Sequence, residues 1–174
     1  LAFLGNRLPD REARVAEFFF RSACMLPGMD FLLGGSGWQG MPLPANVRYV
    51  GHVYTGDHNA FNCSPRAVLN VSRESMARNG FSPATRVFEA AGAGACLVTD
   101  RWEGIGLFLE PGKEVLVAGS GEEVAEHLKA LTPERTRAIG RAARARVLAE
   151  HTYAHRARLL QALLDDGRLW RRAG

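Results

Sequence analysis

Gly80-Phe81-Ser82-Pro83-Ala84-Thr85-Arg86-Val87-Phe88-Glu89-Ala90-Ala91-Gly92-Ala93-Gly94-Ala95-Cys96-Leu97-Val98-Thr99-Asp100 reads as a loop, a helix and a strand packed into one short stretch. Ser82 is a good N-cap, and Pro83 suits the first helical position because its missing N–H is a donor that a helix start leaves unpaired anyway. The pattern predicts a helix from Pro83 through Glu89 to Ala91, stopped at Gly92 and Gly94. Ala95 to Thr99 follows as a short apolar strand.

A helix start of this kind suggests an anion site, since free N–H groups over Ser82 to Thr85 and the helix dipole both favour a phosphate. Thr85 and Glu89 share a face, and Arg86 lies three residues from Glu89, within reach of it. A phosphate-binding end would then sit one or two turns from a carboxylate able to accept hydrogen bonds from ribose hydroxyls. An ordinary capped helix with an Arg86–Glu89 surface pair fits the same residues equally well.

Outward from this stretch the chain alternates strands and helices. Leu1-Ala2-Phe3-Leu4 is an apolar run ending at Gly5, and Asp10 can cap a helix from Arg11 to about Cys24 whose stripe is Val15, Phe18 and Phe19. Strand, glycine turn and helix make the first unit of an α/β layer. Further strands are expected at Asp30–Leu33, Val47–Val50, Ala67–Val71 and from Glu114, giving a parallel sheet of five or six strands with helices on both faces. Gly35, Gly37 and Gly40 have Gly-x-Gly-x-x-Gly spacing, but Met41-Pro42-Leu43-Pro44 follows where a dinucleotide site needs a helix, so a flexible loop is expected there. Thr132-Pro133-Glu134 predicts a helix to about Glu150. Ligands of open α/β sheets bind outside the carboxyl ends of strands. Arg73, in the loop expected from Ser72 to Gly80, is therefore a diphosphate or sugar candidate. His151 and His155 are four apart but lack a third metal ligand, so no metal site is expected.

With 174 residues and 47% hydrophobic content, one well-buried domain over 1–174 is expected. The chain opens inside a strand and without methionine, as a fragment of a longer protein would. No run reaches the ~18 apolar residues of a membrane span, and the three dispersed cysteines fit reduced thiols, so a cytoplasmic location is expected. The net charge of +4 comes largely from arginines late in the chain. Without an aromatic platform these read as a solvated helix face and not a nucleic-acid site, with peripheral contact to an anionic membrane left open.

Arg86-Val87-Phe88-Glu89-Ala90-Ala91-Gly92-Ala93-Gly94-Ala95 resembles the Glu-Ala-small-small-Gly segment of group-1 (family-4-like) glycosyltransferases. Its Arg-x-Phe-Glu form is closest to the spore-maturation and spore-coat subgroup. The resemblance extends from Gly5 to about Leu160 and implies the C-terminal, donor-binding, Rossmann-like half of a GT-B fold. It implies that Glu89 contacts the ribose of a nucleotide-diphosphate sugar and that a basic residue beside the Gly5-Asn6 turn, Arg7 or else a merely exposed arginine, faces the diphosphate. It further implies that the chain passes the nucleobase at His52 and Tyr54, and that the turn at Asp100 and Trp102 approaches the sugar, although a packed loop fits there as well. Many members carry a second glutamate where this chain has Phe81.

The implied function is sugar transfer from a nucleotide-diphosphate donor to an acceptor held by a preceding N-terminal domain. No cofactor or metal is implied, because helix dipole and basic side chains balance the leaving diphosphate. The site candidates are Arg7, His52, Tyr54, Arg73, Ser82, Thr85, Arg86 and Glu89, and no catalytic residue is assigned. By itself this half should have little or no transferase activity. A sugar-nucleotide epimerase of the same architecture, or a non-catalytic nucleotide-sugar-binding domain, are the alternatives.

Overall fold

A computed structural model describes residues 1–165, so the last part of the expected 1–174 domain lies outside the described residues. Six strands form one parallel sheet: β1 (Ala2–Leu4), β2 (Phe31–Gly34), β3 (Val47–Tyr49), β4 (Val68–Asn70), β5 (Leu97–Asp100) and β6 (Leu116–Ala118). Their spatial order is β3-β2-β1-β4-β5-β6, with Phe3 opposite both Leu33 and Leu69. This is the doubly wound order, in which the chain leaves β1 in one direction for β2 and β3 and returns to β1's other side for β4. β1, β4 and β5 are buried at every residue and β2 and β6 at all but one, whereas the β3 edge is more open, which explains the continuous apolar runs in the sequence.

The helices are α1 (Pro9–Val15), α2 (Arg21–Met25), α3 (His58–Cys63), α4 (Glu74–Asn79), α5 (Thr85–Gly92), α6 (Gly121–Ala130), α7 (Pro133–Glu150) and α8 (Tyr153–Asp165). One core packs Phe3, Leu33, Leu69 and Val98 against Val15, Phe18 and Phe19 and against Val124 and Leu128 of α6. A second packs Val68 and Leu97 against Val87 and Ala90 of α5 and Ala143 and Val147 of α7. Alternate strand residues thus serve opposite helix layers, as the period-2 geometry of strands requires.

Local chemistry explains where expectation and structure differ. The first helix starts two residues early: Pro9 takes the first helical position after extended Leu8, so Asp10 is a first-turn acid and no cap. It runs to Met25 through a π turn at Ala16–Phe20, in which Phe18 and Phe19 are both buried. The loop expected over Ser72–Gly80 contains α4, with Glu74 in its first turn, Arg78 in its last and Gly80 in the left-handed conformation (φ 78°) closing it. α7 occupies Pro133–Glu150 as the sequence implies, and the Thr132 hydroxyl accepts the N–H of Arg135. Among the described residues no helix is long and apolar enough to cross a membrane.

Candidate functional site

The order β3-β2-β1-β4-β5-β6 has its switch point between β1 and β4, where a crevice must open because successive connections leave in opposite directions. A cleft of about 310 Å³ lies there, lined by Gly5 and Asn6 after β1, Gly35 after β2, His52 and Val53 after β3, Asn70 and Val71 at the end of β4, and Ala84 to Arg86. A larger hollow of about 670 Å³ lies at the opposite end of the sheet, beside Asp30, Arg48 and Arg66. Its two arginines are exposed and solvated, and it lies away from the strand ends where α/β sheets present their loops and free helix starts.

The cleft wall is built by loops that bond to one another. Gly5 N–H donates to Gly34 C=O at 2.9 Å, Arg7 N–H to Ser36 C=O at 2.9 Å and Gly35 N–H to Gly51 C=O at 2.8 Å. Trp38, buried, donates its indole N–H to Gly5 C=O at 2.7 Å, and Asn6 Oδ1 accepts from Ser36 N–H. Gly35 has φ 116°, and a Cβ there would collide with Gly5 C=O. The glycine loop expected to be flexible is therefore a fastened wall of the cleft.

Two arginines reach into this space from opposite sides. Arg11 projects from α1 with its Nη1 close over Gly5, and Arg86 projects from the first turn of α5. The Nε atoms of both are buried and without a hydrogen-bond partner. Burial lowers the pKa of each, and in Arg11 the positive fields of Arg73 and Arg86 add to this while Asp10 opposes it. Arg86 has partial compensation from Glu89 at 3.2 Å and from Asn62 Oδ1 at 3.3 Å. Two partly desolvated guanidinium groups in one cleft, each with a donor unsatisfied, are short of anionic acceptors.

The start of α5 adds to the deficit, though not as the sequence implies. Ser82 does not cap the helix: Pro83 follows it, Ala84 is still extended (φ −70°, ψ 146°), and helical geometry begins only at Thr85. Ala84 has no side chain with which to cap, so the first-turn N–H groups have no side-chain acceptor. Exposed Thr85 lines the cleft at this end.

The other candidates divide. His52 lines the cleft, and Tyr54 stacks edge-on against it with ring centroids 4.6 Å apart, leaving the tyrosine exposed. Glu89 is exposed one turn along α5 from the cleft, on the Arg86 pair. Arg7 is not brought into the cleft: it turns away to form a two-bonded pair with Glu12, at 2.9 and 2.7 Å. Arg73 is half exposed on Asp10 at 2.8 Å. Asp100 and Trp102 are buried, and the Asp100 carboxylate accepts from Arg14 Nη2 at 2.6 Å, from Ser72 N–H and hydroxyl at 3.1 Å, and from Asn70. They brace the loops beneath the cleft. His151 bonds Phe108 C=O and Arg156, whereas His155 bonds Thr152, so the two histidines do not converge.

Arg11 escaped the sequence reading. Its signal is that Arg11, Val15 and Phe18 stand at i, i+4 and i+7, which places an arginine on the buried stripe of its helix.

Residues 11–162 match the sequence profile of a family described as glycosyl transferase-like. The chain belongs to that family. Among curated proteins, none matches the chain by sequence. In three dimensions it is similar to TarM, with 13% identity, TM-score 0.69, and 92% of this chain covered against 34% of TarM. It is similar to HepE of Anabaena in complex with UDP-glucose (16%, TM-score 0.62, 83% and 42% covered). It is also similar to sucrose-phosphate synthase of Thermosynechococcus elongatus (14%, TM-score 0.71, 99% and 44% covered). At these identities the likeness is one of fold, the Rossmann-like α/β half found in GT-B glycosyltransferases. The chain spans between a third and a half of the length of these structures.

Proposed function

We propose that this chain is the donor-binding half of a glycosyltransferase, binding a nucleoside-diphosphate sugar at the β1/β4 crevice. The observation that carries the proposal is the pair Arg11 and Arg86, whose buried Nε donors lack partners on either side of a cleft that also receives the uncapped start of α5. A diphosphate supplies what is missing: several strong acceptor oxygens and negative charge, at a helix N-terminus. Thr85 and the first N–H groups of α5 would hold one phosphate and the two guanidinium groups the other. Glu89, one turn on, would accept from the ribose hydroxyls, and His52 with Tyr54 would flank the base.

In transfer, the bond from the sugar's anomeric carbon to the diphosphate oxygen breaks, and negative charge grows on the diphosphate. Arg11, Arg86 and the helix start are already fixed around that charge and need not reorganise as it forms. The family membership, and HepE's complex with UDP-glucose, support this substrate class. Within the family, the Arg-x-Phe-Glu form of Arg86 to Glu89 favours the spore-type subgroup. Acceptor binding would fall to another domain of a longer protein, and the chain by itself would transfer little sugar.

Calorimetric titration with UDP, GDP and ADP, each against its nucleoside, tests the reading. A diphosphate binding at least tenfold more tightly than its nucleoside is expected. Equal affinities would refute a phosphate site.

A further inference from the structure

Arg86 is held by two acceptors that take the same nitrogen: its Nη1 lies 3.3 Å from Asn62 Oδ1 and 3.2 Å from Glu89 Oε2. Its Nε is buried and unbonded, and its Nη2 makes no hydrogen bond among the described residues. Nε and Nη2 together form the edge of a guanidinium that grips an oxyanion through two parallel bonds. Arg7 shows that grip in this same molecule, holding the carboxylate of Glu12 through Nε at 2.9 Å and Nη2 at 2.7 Å. On Arg86 the gripping edge is open and the other side is tied down.

The two ties are unequal. The side chain of Glu89 is 42% exposed, so water screens its charge, and the proposed function turns that carboxylate to the ribose. Asn62 is 1% exposed, on a helix fastened at both sides: Phe61 packs on Ala2 and Leu4 of β1, and the Cys63 thiol donates to Ala93 C=O at 3.4 Å, just past the end of α5. That the buried partner is an amide is the telling feature. Arg14, also partly buried, is met by the fully buried carboxylate of Asp100 at 2.6 Å, and its charge is balanced within the fold. An amide oxygen orients a guanidinium without neutralising it. Among the described residues no aspartate or glutamate lines the cleft, so nothing fixed there competes with an incoming anion.

We infer that Asn62 is the positioning residue of the anion site: by holding Nη1 of Arg86 with a neutral acceptor, it keeps the Nε and Nη2 edge aimed, charged and open for a phosphate. Asn62 itself touches no ligand. Its contribution is to fix the rotamer of a long side chain before binding, so that less freedom is lost when the anion arrives. This rests on reading the cleft as the diphosphate site.

The test is calorimetry with UDP, GDP and ADP, each against its nucleoside, on the wild type, Asn62→Asp, Asn62→Ala, Arg86→Met and the double variant Asn62→Ala/Arg86→Met, with a melting curve for each. Asn62→Asp keeps the shape and the acceptor but sets a carboxylate against the guanidinium. It should melt at or above the wild-type temperature, weaken the diphosphate about tenfold or more and leave the nucleoside unchanged. Asn62→Ala should weaken the diphosphate about three- to tenfold in the wild type but less than about twofold in the Arg86→Met background, where nothing is left to position. A merely structural asparagine would lower the melting temperature without that dependence on Arg86. Wild-type diphosphate affinity in Asn62→Asp, or an equal loss from Asn62→Ala with and without Arg86, overturns the inference while the diphosphate site stands. Should Asn62→Asp not fold, the comparison of Asn62→Ala in the two backgrounds decides alone. If the wild type binds no diphosphate more tightly than its nucleoside, the proposed function fails first and this inference with it.

Discussion

Replacing Arg11 by methionine should separate binding from stability in opposite directions. The guanidinium is partly buried, its Nε lacks a partner, and burial together with two neighbouring arginines makes its charge less favourable in the fold than in water. In the free protein that charge is a liability, and Asp10, already engaged by Arg73, offsets it only in part. Methionine is of similar reach and carries no charge, so Arg11→Met should leave the melting temperature unchanged or raise it. With a diphosphate bound, the same guanidinium gains acceptors, and a charge-assisted hydrogen bond contributes about 1.5–3 kcal/mol. Diphosphate affinity should therefore fall roughly ten- to a hundredfold, at 1.4 kcal/mol per decade. Affinity for the nucleoside alone should not change. Calorimetry with nucleoside and diphosphate, beside a thermal melt, reads both effects. Arg7→Met is the internal control: its pair with Glu12 is exposed and outside the cleft, so neither quantity should move appreciably. An Arg11→Met variant that melts well below wild type yet binds diphosphate normally would show that the guanidinium is structural and would refute the reasoning.

Glu89→Gln removes a carboxylate that the proposal sets against the ribose hydroxyls, and should weaken diphosphate binding by about tenfold with little change in melting; a steep loss of melting temperature at unchanged affinity would mark Glu89 as only the ion-pair partner of Arg86. Asp100→Ala takes from Arg14 the buried one of its two carboxylate partners, leaving only Glu74, and takes from the Ser72 N–H and hydroxyl their acceptor, at a cost of about 3–5 kcal/mol in urea unfolding. A loss below about 1 kcal/mol would contradict the bracing role, since that is the range of exposed pairs. His151 accepts from Arg156 on Nδ1 and donates Nε2–H to Phe108 C=O, a pattern that only the neutral ring can make. Its pKa is lowered, chiefly by burial, so the unfolded chain takes up the proton first as pH falls. Stability should be full above about pH 6.5, the ordinary histidine value, and decline as pH drops from there through the lowered folded value. His151→Gln should remove that part of the decline, which melting curves between pH 8 and 5 would show; an unaltered pH dependence would rule out His151 as its source.

Several elements were fixed by neighbours in sequence. Thr132-Pro133-Glu134 sets the start of α7 because cap, proline and first-turn acid act within one turn, and Ser120 does the same for α6 through the N–H of Glu123. The apolar runs at Leu1, Phe31, Val68 and Leu97 announced buried parallel strands, since only a sheet covered on both faces lacks alternation. The pairing of Arg86 with Glu89 was also legible, three residues apart on one helix.

What the local pattern could not supply is which strand lies beside which. Placing β4 against β1 is a long-range choice made by two hydrophobic layers, and it opens the cleft and brings Arg11 and Arg86 to it from different layers. The same packing buries Asp100 under Arg14, where the sequence showed only a polar turn. Arg7 and Arg11 look alike in the sequence, one turn apart. Arg7 precedes the helix, which begins only at Pro9, and closes on Glu12, whereas Arg11 lies within it on the apolar stripe and is carried inward with Val15 and Phe18, so where the helix starts and how the layers assemble decided which of them faces the crevice.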